Sequence, residues 1–153
     1  MMVSTKGRYA LRVMIDLAEH QTSGYIPLKE IAKRQNISEK YLEIILKSLV
    51  REKVLTGLRG KGGGYRMSGT PEQYTVGSIL RLTEGTLAPV ACLTADAASC
   101  AMAAQCRTLP MWKELDVMIQ RFFDGITIAD LMKTTPSENE LPTPAAADPP
   151  LPS

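Results

Sequence analysis

Two sets of residues in this chain are equipped for chemistry. Cys92, Cys100 and Cys106 fall within 15 residues, with seven and then five residues between them. Thiolates are soft anionic ligands and nucleophiles, so such a cluster points to metal binding or thiol chemistry. The plain alternative is inert packing, because a free cysteine often behaves as a small buried hydrophobe. An enzyme is not expected: no histidine or evident general base accompanies the thiols, and no CxxC is present. The second set is Arg59-Gly60-Lys61-Gly62-Gly63-Gly64-Tyr65, two cations among four glycines. Glycine permits positive φ and close backbone approach, so this loop can lie along a narrow minor groove with Arg59 inserted. A nucleotide-phosphate loop is the competing assignment, but the Walker spacing and its Lys-Ser/Thr ending are absent.

The elements that must position these residues follow from hydrophobic periodicity. Residues 6–19 carry Tyr9, Ala10, Val13, Met14, Leu17 and Ala18 at helical spacing. Pro27 is expected to open a second helix over 27–34, with Leu28, Ile31 and Ala32 inward. A tight turn at 35–37 leads to Ser38, a good N-cap for a third helix over 39–53. Leu42, Ile45, Leu46 and Leu49 form its buried face. Strands over 54–58 and 64–67 flank the glycine loop, and 75–84, 110–123 and 128–132 read as further helices. Residues 85–109 form a long Ala- and Cys-rich connection, and the tail from 134 holds six of the ten prolines, which predicts disorder.

Two short helices, a turn and a basic hairpin are the order of a winged helix-turn-helix. The fold class is therefore mainly α with a small β-hairpin wing, followed by a long helix. Residues 1–84 form the DNA-binding region, 85–109 a cysteine loop, 110–133 the long helix with a short terminal one, and 134–153 the tail. The outer side of the third helix would enter a major groove. Ser38 and Tyr41 can reach phosphates, Lys40 and Lys47 add positive charge, and Glu43 can accept from a cytosine amine. Ile44 either touches a thymine methyl or packs against a neighbouring side chain. Arg59, Gly60 and Lys61 belong to the wing.

The bulk numbers agree. Residues 1–70 hold 13 Lys/Arg against 6 Asp/Glu, whereas residues 71–153 hold 5 against 10, so the net charge of +2 hides a basic front half. That asymmetry fits a polyanion partner, though a solvated basic surface would look the same. At 153 residues one compact domain is expected. No apolar run approaches the ~20 residues of a membrane span. The start, Met1-Met2-Val3-Ser4-Thr5-Lys6, lacks the features of a signal peptide, so a cytoplasmic location is expected.

At Ser4-Thr5-Lys6-Gly7-Arg8-Tyr9-Ala10-Leu11, at Tyr41-Leu42-Glu43 and at the glycine loop, the chain resembles the bacterial Rrf2 family of transcriptional regulators. The likeness runs from about residue 2 to 133. It implies a homodimer, repressor or activator, whose two winged helices bind a roughly palindromic double-stranded operator. It also makes residues 110–123 the dimerisation helix, with Met111, Leu115, Met118, Ile119 and Phe122 as its apolar stripe. In the family's iron–sulfur members three cysteines in this region hold a two-iron two-sulfur cluster, so Cys92, Cys100 and Cys106 map onto that ligand set. Leu109 stands where iron–sulfur members carry a histidine, and Arg8 where nitric-oxide sensors carry an acidic ligand. His20 lies at the end of the first helix. The fourth ligand is therefore open among Asp96, another loop oxygen and an exogenous thiol. The resemblance admits two other assignments, a regulator controlled by a partner protein and a thiol-redox sensor without a cluster.

Overall fold

The computed structural model describes residues 2–98 and 100–134; the tail expected to be disordered lies, from residue 135, outside them. Helix α1 (Thr5–His20) starts at Ser4, whose side chain accepts from the Gly7 N–H and so caps one free donor of the first turn. Ala10, Val13, Met14 and Leu17 are fully buried along one face. Helix α2 (Leu28–Gln35) begins one residue later than expected: Pro27 precedes it with extended geometry rather than occupying its first position. Asn36, in the left-handed conformation at φ 53°, ends α2, a conformation asparagine tolerates better than most residues. Helix α3 (Glu39–Arg51) is capped by Ser38, and it stops short of residue 53 because Lys53 turns to φ 60°.

Strands β1 (Leu55–Leu58) and β2 (Gly64–Met67) pair antiparallel, with Leu58 opposite Gly64. A third strand position comes from Ile26, which exchanges two 2.9 Å backbone hydrogen bonds with Tyr65. Gly64 makes this approach possible: its φ is 147°, and a Cβ there would lie 2.2 Å from the Ile26 carbonyl oxygen. The wing is thereby stitched to the segment that leads into α2.

Helix α4 (Val76–Glu84) is capped by Thr75. Helix α5 (Leu109–Asp124) and helix α6 (Ile128–Met132) follow the long connection. The chain order groups α6 with α5, but packing places it in the body: Ile128 is fully buried in the core that contains α1, α2 and α3. A smaller cluster, Val76, Leu80, Leu87 and Ile126, seats the base of the connection and the end of α5. Between residues 88 and 125 no described residue is buried.

Candidate nucleic-acid interface and cysteine loop

Helix α3 and the wing face one another across an open cleft of about 930 Å³. Glu39, Glu43, Lys47 and Arg51 line one wall from α3, and Leu58, Arg59, Gly60 and Gly63 line the other from the wing. Lys29 contributes from the start of α2. Positions 43, 47 and 51 share one helical face at four-residue spacing, so Arg51 was legible as an addition to the set. Lys29 was not, since nothing local ties the start of α2 to the wing.

The side chains on this face differ in freedom. Lys47 pairs with Glu43 at 3.0 Å, both well exposed, so the carboxylate meets a partner already placed beside an ammonium. Such an exposed pair is weak, worth roughly 0.3–0.5 kcal/mol, and a ligand can readily exchange it. Ile44 is 51% exposed, so about half of its side chain is open to a ligand. Lys40, Arg59, Gly60 and Lys61 are exposed. At the wing tip Gly60 has φ 88°, and its carbonyl accepts from the Gly63 N–H at 3.0 Å. The Ser38 oxygen accepts from the Tyr41 N–H at 3.2 Å, leaving its hydroxyl proton to donate. Tyr41 turns back instead of pointing fully outward: its ring lies edge-on to Tyr9 at 5.9 Å, half-buried against the core.

A polar network holds α1 to α2 beneath this face. Asp16, 1% exposed, accepts from Arg34 Nε at 2.9 Å and Nη2 at 2.7 Å, and from Gln35 Nε2 at 2.8 Å. Burial pushes the Asp16 carboxyl up, but hydrogen bonds from Arg34 and Gln35, with the charges of Arg34 and His20, outweigh it and hold the group below its ordinary value. His20 caps this end of α1 through its Nδ1, 2.8 Å from the Asp16 carbonyl. None of these partnerships was read from the sequence.

In the connection, Cys92 and Cys100 are exposed free thiols and Cys106 is a half-exposed one. Cys106 Sγ lies 3.5 Å from the Thr108 hydroxyl. Hydrogen bonds from the Thr108 side chain and backbone hold this thiol below its ordinary range, against a weak opposing effect of burial. The donor types suit an iron–sulfur cluster, being three uncommitted thiols on one solvent-reachable segment. They are not pre-gathered: among the described residues no three Cys, His, Asp or Glu side chains come together as a metal cage. Asp96 sits with Glu84, Gly85, Thr86 and Thr94 around a separate small recess. Arg8 bonds Thr5 on the exposed side of α1, and Leu109 is the first residue of α5.

Helix α5 has no buried residue. Met111, Leu115, Met118 and Phe122 are 52%, 36%, 60% and 36% exposed on one outward stripe. Ile119 departs from it, packing inward on the Val76–Leu80 cluster with Phe123. The lower end of α5 is latched to α4, where Arg81 donates to both Asp124 oxygens at 2.8 and 2.7 Å and also to Gln120. Among the described residues no helix is long and apolar enough to cross a membrane.

Comparison with known proteins shows the family and agrees with the fold. A family model described as Rrf2, iron-dependent transcriptional regulator, matches residues 3–134. The HTH-type transcriptional regulator IscR of Aliivibrio salmonicida is 34% identical over 132 residues, spanning 86% of this chain and 77% of that one. Among solved structures, CymR (YrzC), the global cysteine regulator of B. subtilis, is similar with a TM-score of 0.71 at 33% identity, over 88% of this chain and 98% of its own. T. potens IscR is similar with a TM-score of 0.65 at 32% identity, over 87% of each chain.

Proposed function

The chain belongs to the Rrf2 family of transcriptional regulators, and from that premise we propose that it binds a palindromic operator as a homodimer and senses its signal through Cys92, Cys100 and Cys106. The observation that carries the DNA half is the cleft in which Glu43 and Lys47 of α3 face Arg59 and Gly60 of the wing. Helix and wing can then hold one duplex from two sides, with Ile44 free to meet a base edge and Ser38, Lys40 and Lys61 free to meet phosphates. The outward stripe of α5 supports pairing with a second copy, because four large apolar side chains on one face stay exposed among the described residues.

For the sensor half, the three thiols would hold a two-iron two-sulfur cluster, which supplies a group sensitive to oxygen and nitric oxide. The fourth ligand is Asp96, another loop oxygen or an exogenous thiol. Loop and α5 are continuous, so a loop that changes shape biases the dimer helix and with it the spacing of the two heads. Coupling of this kind is typically worth about 1–3 kcal/mol. A thiol switch without a cluster is the second reading, favoured by three free, solvent-reachable thiols and by the Thr108 hydroxyl 3.5 Å from Cys106 Sγ. Protein purified without oxygen decides between them. The cluster reading expects brown protein with iron and acid-labile sulfide, lost when any one of the three cysteines becomes alanine. Colourless, iron-free protein whose operator affinity responds to peroxide supports the thiol switch, and one that responds only to an added protein supports control by a partner.

A further inference from the structure

One α1 side chain outside the set that faces the cleft reaches the end of α2, just before the turn into α3. Arg12, exposed on α1, reaches across to the last residue of α2: its Nε donates to Gln35 Oε1 at 3.1 Å and its Nη2 donates to the Gln35 carbonyl. One turn further along α1, Asp16 accepts from the other end of the same amide, Gln35 Nε2, at 2.8 Å. Gln35 is thus gripped at both ends by two α1 residues four apart, and the opposite chemistry of the two grips fixes the orientation of its amide. Immediately beyond it come Asn36, the left-handed residue that turns the chain, and Ser38, the N-cap of α3. Arg12 also lies over the Tyr9 ring at 5.0 Å, and Tyr9 is the ring against which Tyr41 of α3 packs. The guanidinium therefore touches the end of α2 directly and meets α3 only at one remove, through Tyr9.

We infer that Arg12 is a positioning residue for operator recognition, setting the placement of the α3 N-terminus relative to α1 without itself touching DNA. This rests on the DNA-binding reading above. The physical reason is that side chains must be held within about half an ångström to make base-edge contacts, and that tolerance is met only where the supporting shell is itself locked. A planar fork with fixed donors can lock Gln35 in this way; an ammonium on a flexible stem cannot. Replacing Arg12 leaves the buried Asp16–Arg34 pair and the apolar core untouched, so the fold persists.

The test uses the full chain and a duplex that the wild type selects from random DNA. Arg12→Lys and Arg12→Ala should each weaken selected-site binding on the order of tenfold, the worth of one lost charged hydrogen bond. Affinity of Arg12→Lys for unrelated duplex and its salt slope should stay at wild-type values, and its thermal midpoint should fall by no more than a few degrees, as the loss of one such bond costs. Gln35→Met, which removes the side-chain acceptor but keeps the carbonyl and also costs Asp16 one donor, should weaken selected-site binding too. The Arg12→Lys/Gln35→Met double variant should lose less than the sum of the two single losses, because the Arg12–Gln35 side-chain contact is shared. Full rescue by lysine, with a salt slope reduced by about one in Arg12→Ala alone, would make Arg12 a phosphate contact and overturn the inference. Variants that match wild type throughout overturn it too. A wild-type chain that selects no duplex instead removes the DNA-binding reading, and the inference with it.

Discussion

The winged body and the cysteine loop with its helix obey different rules of construction. In the body, Met14, Leu17, Ile31, Leu42, Ile45, Leu46 and Leu49 are fully buried, and the residues proposed to meet DNA stand on α3, its N-cap or the hairpin, which pack on this core. From residue 88 to 125 no described residue is buried, and the segment is held at its ends by Leu87 above and by Ile119, Phe123 and the Arg81–Asp124 latch below. A surface that must fit DNA gains from rigidity. A segment that must change with a bound group or an oxidant gains from weak attachment, since regions of low local stability are the ones able to move. On the proposed function, the contrast makes sensing and reading separable in this chain, joined through α5.

The largest expected effect attacks that join. Leu115→Asp together with Met118→Asp puts two carboxylates on the outward stripe of α5 and should convert a dimer to a monomer, seen by light scattering. Operator affinity should then fall by about 10²–10⁴-fold, because the second head no longer binds at high effective concentration. The body alone should keep its melting transition. A monomeric wild type with tight operator binding would dissolve the proposed link between the two regions.

Next comes the anchoring of the body. Asp16→Asn should cost about 1.5–3 kcal/mol in urea unfolding, since it removes charge-assisted bonds from Arg34 and Gln35. The wild-type carboxyl is held below its unfolded value, so the stability it contributes is complete above the ordinary carboxylate range, near pH 4–5, and drains away as pH falls through the lowered folded value. The pH dependence of unfolding in Asp16→Asn should flatten in that acid window and match wild type near neutrality. An unchanged acid limb would detach Asp16 from the stability of the body.

The wing comes third. Arg59→Ala should weaken operator binding by about 1–3 kcal/mol, while Lys61→Ala acts evenly across sequences and lowers the salt slope by about one. Affinity measured against salt checks both; if neither changes, the wing has no part in reading.

Much of the body was legible because its core is periodic. The stripe of α3 could be read directly from Leu42, Ile45, Leu46 and Leu49, all of which are buried, and the hairpin from strands flanking glycines. What escaped is long-range and single: the Ile26 bridge to Tyr65, the Tyr9–Tyr41 edge contact and the grip on Gln35 leave no local pattern. Ile119 illustrates the limit of a stripe. It follows Met118 by about 100° around the helix, enough to turn it from the outward face to the inward cluster. For the cysteines, sequence indicated donor type and proximity, but spacing along a loop does not dictate convergence in space, and the thiols are not gathered.

The smallest effect is the sharpest test of the comparison. Cys92, Cys100 and Cys106 contribute no side chain to either apolar cluster, and two of them are exposed. Replacing all three with alanine removes little apolar burial and one exposed contact to Thr108. Substitutions of that kind are usually within about ±0.5 kcal/mol. Urea unfolding of the metal-free, reduced triple variant should therefore superimpose on that of the metal-free, reduced wild type. If the thiols carry a bound group, the two should differ only when that group is present, because a ligand that binds the folded state alone stabilises it in proportion to its occupancy. A loss above about 2 kcal/mol in the metal-free proteins would mean that the cysteines pack into the fold. The loop would then be part of the body, and the separation of sensing from reading would fail.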